Sequence, residues 1–135
     1  MPGASNVVAV FNTSEDTTDL LRVVLEMAGF VVVTAFTNLI RDGKLDLEAF
    51  IRQHRPKVIV YDIAIPYEQN WRLFQHLRST PACKEIAFVV TTTNALHVRQ
   101  VAGSEQGICE IVGKPYDLNL LVGAVQKALS SDASS

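Results

Sequence analysis

The chain has 135 residues, 48 % of them hydrophobic and 19 % charged, with a formal net charge of -2. That composition suits one globular domain large enough to bury a core, and it argues against disorder. The charge offers no field to attract DNA, RNA or an anionic membrane, and no apolar run is long enough to span a bilayer.

Met1 to Asn6 lacks the charged-then-apolar order of a secretory signal. Cys83 and Cys109 stand far apart, in no C-x-x-C arrangement. Two reduced cysteines in a cytoplasmic protein are therefore expected.

In chain order, short β-branched runs alternate with helical stretches. A strand is predicted over Val7–Phe11, then a helix from Asp16 to Ala28 with Leu20, Leu21, Val24 and Leu25 on one face. Gly29 is a natural stop for that helix. A strand over Val31–Ala35 precedes a helix from Leu45 to His54, where Leu47, Phe50 and Ile51 share a face. Val58–Tyr61 is the third strand, and the third helix, Trp71 to Leu77, groups Trp71, Phe74 and Leu77. Ile86–Thr91 is followed by a weak helix at Ala95–Ala102 whose apolar side is Val98, Val101 and Ala102. Glu110–Val112 is the last strand, and Leu118–Leu129 the last helix, amphipathic and capped by Asp117. Pro2 to Ser5 and Ser130 to Ser135 are expected to be loose ends. No linker or repeat divides the chain, so one domain is expected over 1–135, with its core at about 6–129.

The strand runs are nearly continuous in apolar residues, as in parallel strands covered on both faces. Five strands alternating with five helices imply right-handed crossovers and a doubly wound α/β sheet, with the flavodoxin-like strand order 2-1-3-4-5. In such sheets chemistry gathers beyond the carboxyl ends of the strands. There the sequence sets Asn12, Thr13, Ser14, Glu15 and Asp16, then Asp62, then Thr91, Thr92, Thr93 and Asn94, then Lys114 and Pro115. An aspartate at a strand end can attack a phosphoryl donor and carry an acyl phosphate. The anionic group in transfer calls for a cation, a hydroxyl donor and usually a divalent metal. Lys114 can be the point charge, and Thr92 can donate to a phosphoryl oxygen. Pro115 restricts Lys114 to extended backbone.

D-I-A-I-P at Asp62–Pro66, Thr92 after an apolar strand, K-P-Y at Lys114–Tyr116 and M-A-G-F at Met27–Phe30 resemble the receiver domains of bacterial two-component response regulators. The resemblance runs from about Val7 to Leu129, and its motifs follow in the right order after the right strands. It implies that Asp62 is the phosphoacceptor, Thr92 the hydroxyl and Lys114 the lysine of the phosphorylation site. The backbone carbonyl of Ala64 matches a ligand of Mg²⁺. It further implies a signalling domain, with at most self-catalysed phosphotransfer and dephosphorylation for enzymology. A histidine kinase or phosphotransfer protein would act upstream, and a target protein would dock downstream through about Ala95–Leu129. A monomer or weak dimer is expected, with no output domain in this chain.

The sequence departs from the family in its chemistry more than in its fold. Receiver domains usually carry two acidic residues after the first strand to hold Mg²⁺, where this chain has Asn12 and Thr13. A neutral amide and a hydroxyl are poor ligands for a hard cation, so metal binding is expected to be weak or absent. Glu15 could turn back to the site, although support of the helix N-terminus is its simpler role. Thr93 stands where the family prefers a very small residue. Ile111 stands where an aromatic switch residue is usual, and plain core packing accounts for it. The connection Phe36–Lys44 is roughly five residues longer than usual, and could cover the site, meet a partner or be a plain surface insertion.

Elsewhere, Trp71 reads as core packing and Asn70 as a cap for the third helix. His54, His76 and His97 lack metal-ligand spacing and read as surface residues. Two alternatives to a phosphorylated receiver remain. One is an interaction module of the same fold that works without phosphorylation, favoured by Asn12 and Thr13. The other is a flavin- or nucleotide-binding protein, for which Asn12–Ser14 is the only trace of a phosphate loop.

Overall fold

The computed structural model describes residues 7–63, 66–92, 95–102, 108–113 and 118–134. The β-branched runs form strands β1 (Val7–Asn12), β2 (Val31–Phe36), β3 (Val58–Ile63) and β4 (Ala87–Thr92), all parallel, in the order β2-β1-β3-β4. The backbone of β5 (Ile108–Gly113) pairs along the outer side of β4, with a register irregularity between Phe88 and Val89. Each strand reaches one or two residues beyond its apolar run, so Asn12, Asp62 and Thr92 are the last or nearly the last residues within strands.

Strand alternation divides the core into two layers. Val8, Val10, Val58, Val60 and Val89 meet Leu21 and Leu25 of α1 (Glu15–Met27) and Leu121 and Val125 of α6 (Leu118–Ser134). On the other face Ala9, Phe11, Ile59, Tyr61, Phe88 and Val90 meet Ile51 of α3 (Leu47–His54), Trp71, Phe74 and Leu77 of α4 (Tyr67–Arg78), and Val98 of α5 (Ala95–Ala102). Each of the larger side chains, fully withdrawn from water, contributes about 1.5–3 kcal/mol. Central β3 is buried along its whole length.

The helix ends follow capping chemistry. Ser14 Oγ accepts from the Thr17 N–H, and Asp46 Oδ1 accepts from the Ala49 N–H at 3.2 Å, which starts α3 at Leu47 and not at Leu45. α1 closes through Gly29, at φ +101°, with the Phe30 N–H donating back to Leu25 O.

Several expectations are corrected. Leu20 faces solvent, because the buried stripe of α1 is Thr18, Leu21 and Leu25 at helical spacing. Asn70 caps nothing. α4 begins at Tyr67 after Pro66, and the Asn70 N–H donates to Pro66 O inside the first turn. Helix α6 continues to Ser134, since no Gly or Pro follows Leu129 to stop it. The long connection is not a plain loop. It forms a sixth helix, α2 (Thr37–Arg41), whose Ile40 joins Leu45 against the Phe11–Tyr61 layer.

Candidate functional site

Asp62 occupies the penultimate position of β3, 5 % exposed. Its register partner in β4 is Thr91, and the Thr91 hydroxyl donates to Asp62 Oδ1 at 2.8 Å, a buried bond. Register partners in neighbouring parallel strands project to the same face, about 4.8 Å apart, so the bond follows from the pairing. A hydroxyl bonded to a carboxylate is among the stronger neutral-to-charged contacts. Sequence reading centred on Thr92, one residue further along. Thr92 is fully buried and in register with Ile63, on the opposite pleat from Thr91. The family resemblance points to Thr92, whereas the strand register brings Thr91 to Asp62.

On the other side of β3, β1 pairs Val10 with Val60 and Phe11 with Tyr61. One step further along both strands come Asn12 and Asp62. Asn12 is 1 % exposed, and its Oδ1 accepts from the Ser14 N–H at 2.9 Å. Its Nδ2 is buried and makes no hydrogen bond among the described residues. Thr13 and Glu15 are exposed, and Glu15 lies in the first turn of α1, where its charge favours the helix dipole. The Asn12–Ser14 run is spent on starting α1: Ser14 O accepts from Thr18 Oγ1 at 2.7 Å, and Ser14 Oγ caps the helix. That leaves it ill-suited to serve as a phosphate loop.

Beneath Asp62 lies Tyr61, its ring packed on Phe11 and Phe74. Burial pushes its phenol far above the ordinary range, and the Asp62 charge adds to the shift. Ala64, Thr93, Lys114 and the side chain of Ile111 lie outside the described residues, so the expected Mg²⁺-ligand role of the Ala64 carbonyl lies outside them too. Trp71 is core, as expected. His54 is half-buried against Phe50, contrary to the surface expectation, while His76 is exposed. The side chains of His97 and Cys109 lie outside the described residues, and Cys83 is a free, buried thiol.

The residues at the strand ends do not fit Mg²⁺ well. Asn12 turns its oxygen toward Ser14 and keeps a donor in the buried space, and Thr13 looks outward. Among the described residues no group of three or more His, Cys, Asp or Glu is arranged to hold a metal ion. A hard cation wants several anionic or carbonyl oxygens, and of the described residues there Asp62 alone supplies a buried carboxylate.

No family model matches the chain. An uncharacterized 14.6 kDa protein from the sodA1 3' region of Leptolyngbya boryana is 26 % identical over 120 residues, covering 89 % of this chain and 87 % of that protein. The response regulator Rre1 of Synechocystis sp. is 27 % identical over 115 residues. That match covers 76 % of this chain and 50 % of Rre1, so the chain spans about half of that regulator. Among solved structures, a sensor protein from Polaromonas sp. JS666 superimposes with a TM-score of 0.73 at 20 % identity, over 93 % of this chain and 97 % of that one. A response regulator receiver domain protein from Clostridium thermocellum gives 0.71 at 16 % identity, over 94 % and 96 %. The fold is the receiver fold. Its strand ends are where receiver folds and other doubly wound sheets gather their ligands, and Asp62, Thr91 and Asn12 stand there side by side. No described helix is long and apolar enough to cross a membrane.

Proposed function

We propose that this chain is a receiver module of two-component phosphorelay signalling, which accepts a phosphoryl group on Asp62 and signals by protein–protein contact. One observation carries the reading. Asp62 is a buried carboxylate at the carboxyl end of the central strand, oriented by the Thr91 hydroxyl. The complete sheet is read as flavodoxin-like, in the order 2-1-3-4-5. Lys114 is assigned the balancing positive charge, Thr92 a second hydroxyl of the site, the Ala64 carbonyl the metal-ligand position that the resemblance gives it, and Ile111 the switch position.

The chemistry asked of the chain is small. An Asp62 carboxylate oxygen forms a new bond to phosphorus as the bond to the donor's imidazole nitrogen breaks, and that nitrogen leaves with the electron pair. Water later cleaves the acyl phosphate, returning the carboxylate and inorganic phosphate. A histidine kinase or phosphotransfer protein would supply the group. A target would dock on the surface spanning about 95–129, where Leu96 of α5 is 68 % exposed.

The test is incubation with a small phosphodonor, read by intact mass. A single phosphoryl adduct is expected, absent from Asp62→Asn. No adduct with either a small donor or a phosphohistidine protein would overturn the reading. A second reading rests on Asn12 and Thr13: the same module working without phosphorylation. Asp62→Asn then leaves binding to its target unchanged.

A further inference from the structure

We infer that the pocket beside Asp62 excludes divalent cations and that Asn12 is the residue that excludes them, by presenting a hydrogen-bond donor where a cation needs an acceptor. The inference rests on the receiver reading for its context, since that fold implies Mg²⁺ at this position, but its argument is the local geometry. An asparagine could in principle offer either end of its amide. In this chain the choice is fixed. Oδ1 holds the Ser14 N–H at 2.9 Å, two residues on, at the turn that starts α1. Rotating the amide would set Nδ2 against that N–H, two donors face to face, and would leave the Ser14 N–H without its acceptor at the helix entry. The oxygen is therefore committed to the turn.

Nδ2 is left as a buried donor with no partner among the described residues, on a side chain 1 % exposed. An unmet buried donor is costly, so the pocket favours an acceptor oxygen close to Nδ2 and disfavours a cation there. The β1–β3 register runs to Phe11 and Tyr61, and Asn12 and Asp62 are the next residues of these neighbouring strands, which lie about 4.8 Å apart. On the far side, the Thr91 hydroxyl donates to Asp62 Oδ1, a second donor where a bound cation would compete for the same oxygen. Thr13, the other position from which a carboxylate could reach in, is exposed. A hydroxyl donor is thus bonded to the Asp62 carboxylate, and a buried amide donor lies at the end of the strand beside it. The pocket is suited to an oxygen acceptor, whether water or the oxygen of a group carried on Asp62.

The experiment is titration of the full chain with Mg²⁺ alone, by calorimetry and by melting temperature, for wild type and for Asn12→Asp combined with Thr13→Asp. Wild type is expected to give no binding heat and no shift in melting temperature at millimolar Mg²⁺. The double variant should bind Mg²⁺ at least about tenfold more tightly, because added ligand charge is what raises affinity for a hard cation. Its melting temperature should fall without Mg²⁺ and recover with it. Mg²⁺ binding by wild type overturns the inference whatever the variant does, so a variant that fails to fold does not shield it. A folded variant that gains no affinity overturns the role of Asn12. The phosphoryl adduct is read separately, with Mg²⁺ and with chelator. An adduct that forms only with Mg²⁺ sinks this inference and leaves the receiver reading standing. No adduct in either condition, together with no Mg²⁺ binding, removes the phosphoacceptor and leaves the inference in place.

Discussion

At the scale of single residues, the site is a set of committed hydrogen bonds. The Thr91–Asp62 bond is buried and made to a carboxylate, so its loss should cost more than a neutral surface contact. Thr91→Val, similar in shape, is expected to destabilise the protein by about 1.5–3 kcal/mol in urea unfolding. Thr91→Ser should recover most of that. A Val variant within about 0.5 kcal/mol of wild type, the range of an ordinary surface change, would show that the bond contributes little. Tyr61 makes a prediction in pH. Its phenol is raised above the ordinary value of about 10, first by burial and then by the Asp62 charge. The folded state therefore holds its proton more tightly than the unfolded chain. The stability contributed is complete below pH of about 10 and is lost as pH rises beyond it toward the folded value. An ultraviolet titration should show Tyr61 silent until the protein unfolds. Tyr61→Phe should flatten the alkaline loss of stability.

Elements are set by their ends. Arg55 closes α3 with φ 49°, the one non-glycine residue in the left-handed region among those described, and its N–H donates to Ile51 O at 2.7 Å. A side chain with a Cβ pays for that conformation, whereas glycine does not. Arg55→Gly is expected to raise stability by about 0.5–1 kcal/mol in urea, despite the greater freedom glycine gives the unfolded chain. A loss of stability would mean that the Arg55 side chain makes up for its backbone strain. Helix α2 carries the same lesson. A stretch that reads as a long connection contains Ile40, and Gly43, at φ +76°, lets the chain turn so that Leu45 returns to the core. What looked like an insertion is anchored by two apolar side chains.

For the whole molecule, the central strand is buried on both faces, and the two layers of helices lock its register. Core substitutions should therefore act far more strongly than those on the exposed face of α1. Phe74, fully buried between the Tyr61, Trp71 and Phe88 rings, should cost about 3–5 kcal/mol as Phe74→Ala. Met27, 83 % exposed, should change stability by less than about 0.5 kcal/mol as Met27→Ser. Equal effects in thermal and urea unfolding would contradict this layered core. The receiver fold and its strand-end site are a consequence of that core. With the register fixed, Asp62 and Thr91 pair across two strands, and Asn12 ends the strand on the other side of β3.

The α/β class, the parallel order of the strands and the position of Asp62 were all legible in the sequence. Apolar runs too continuous for a one-sided sheet require helices on both faces, and a carboxylate ending such a run can only stand at the sheet edge. The neutral pair Asn12 and Thr13 was legible as well, since charge is a property of residue type. Which threonine meets Asp62, which end of the Asn12 amide takes the Ser14 N–H, and where Leu20 and Ile40 turn were decided by tertiary structure. Each depends on register or rotation relative to a neighbour distant in sequence, and one residue of slip carries a side chain to the opposite face.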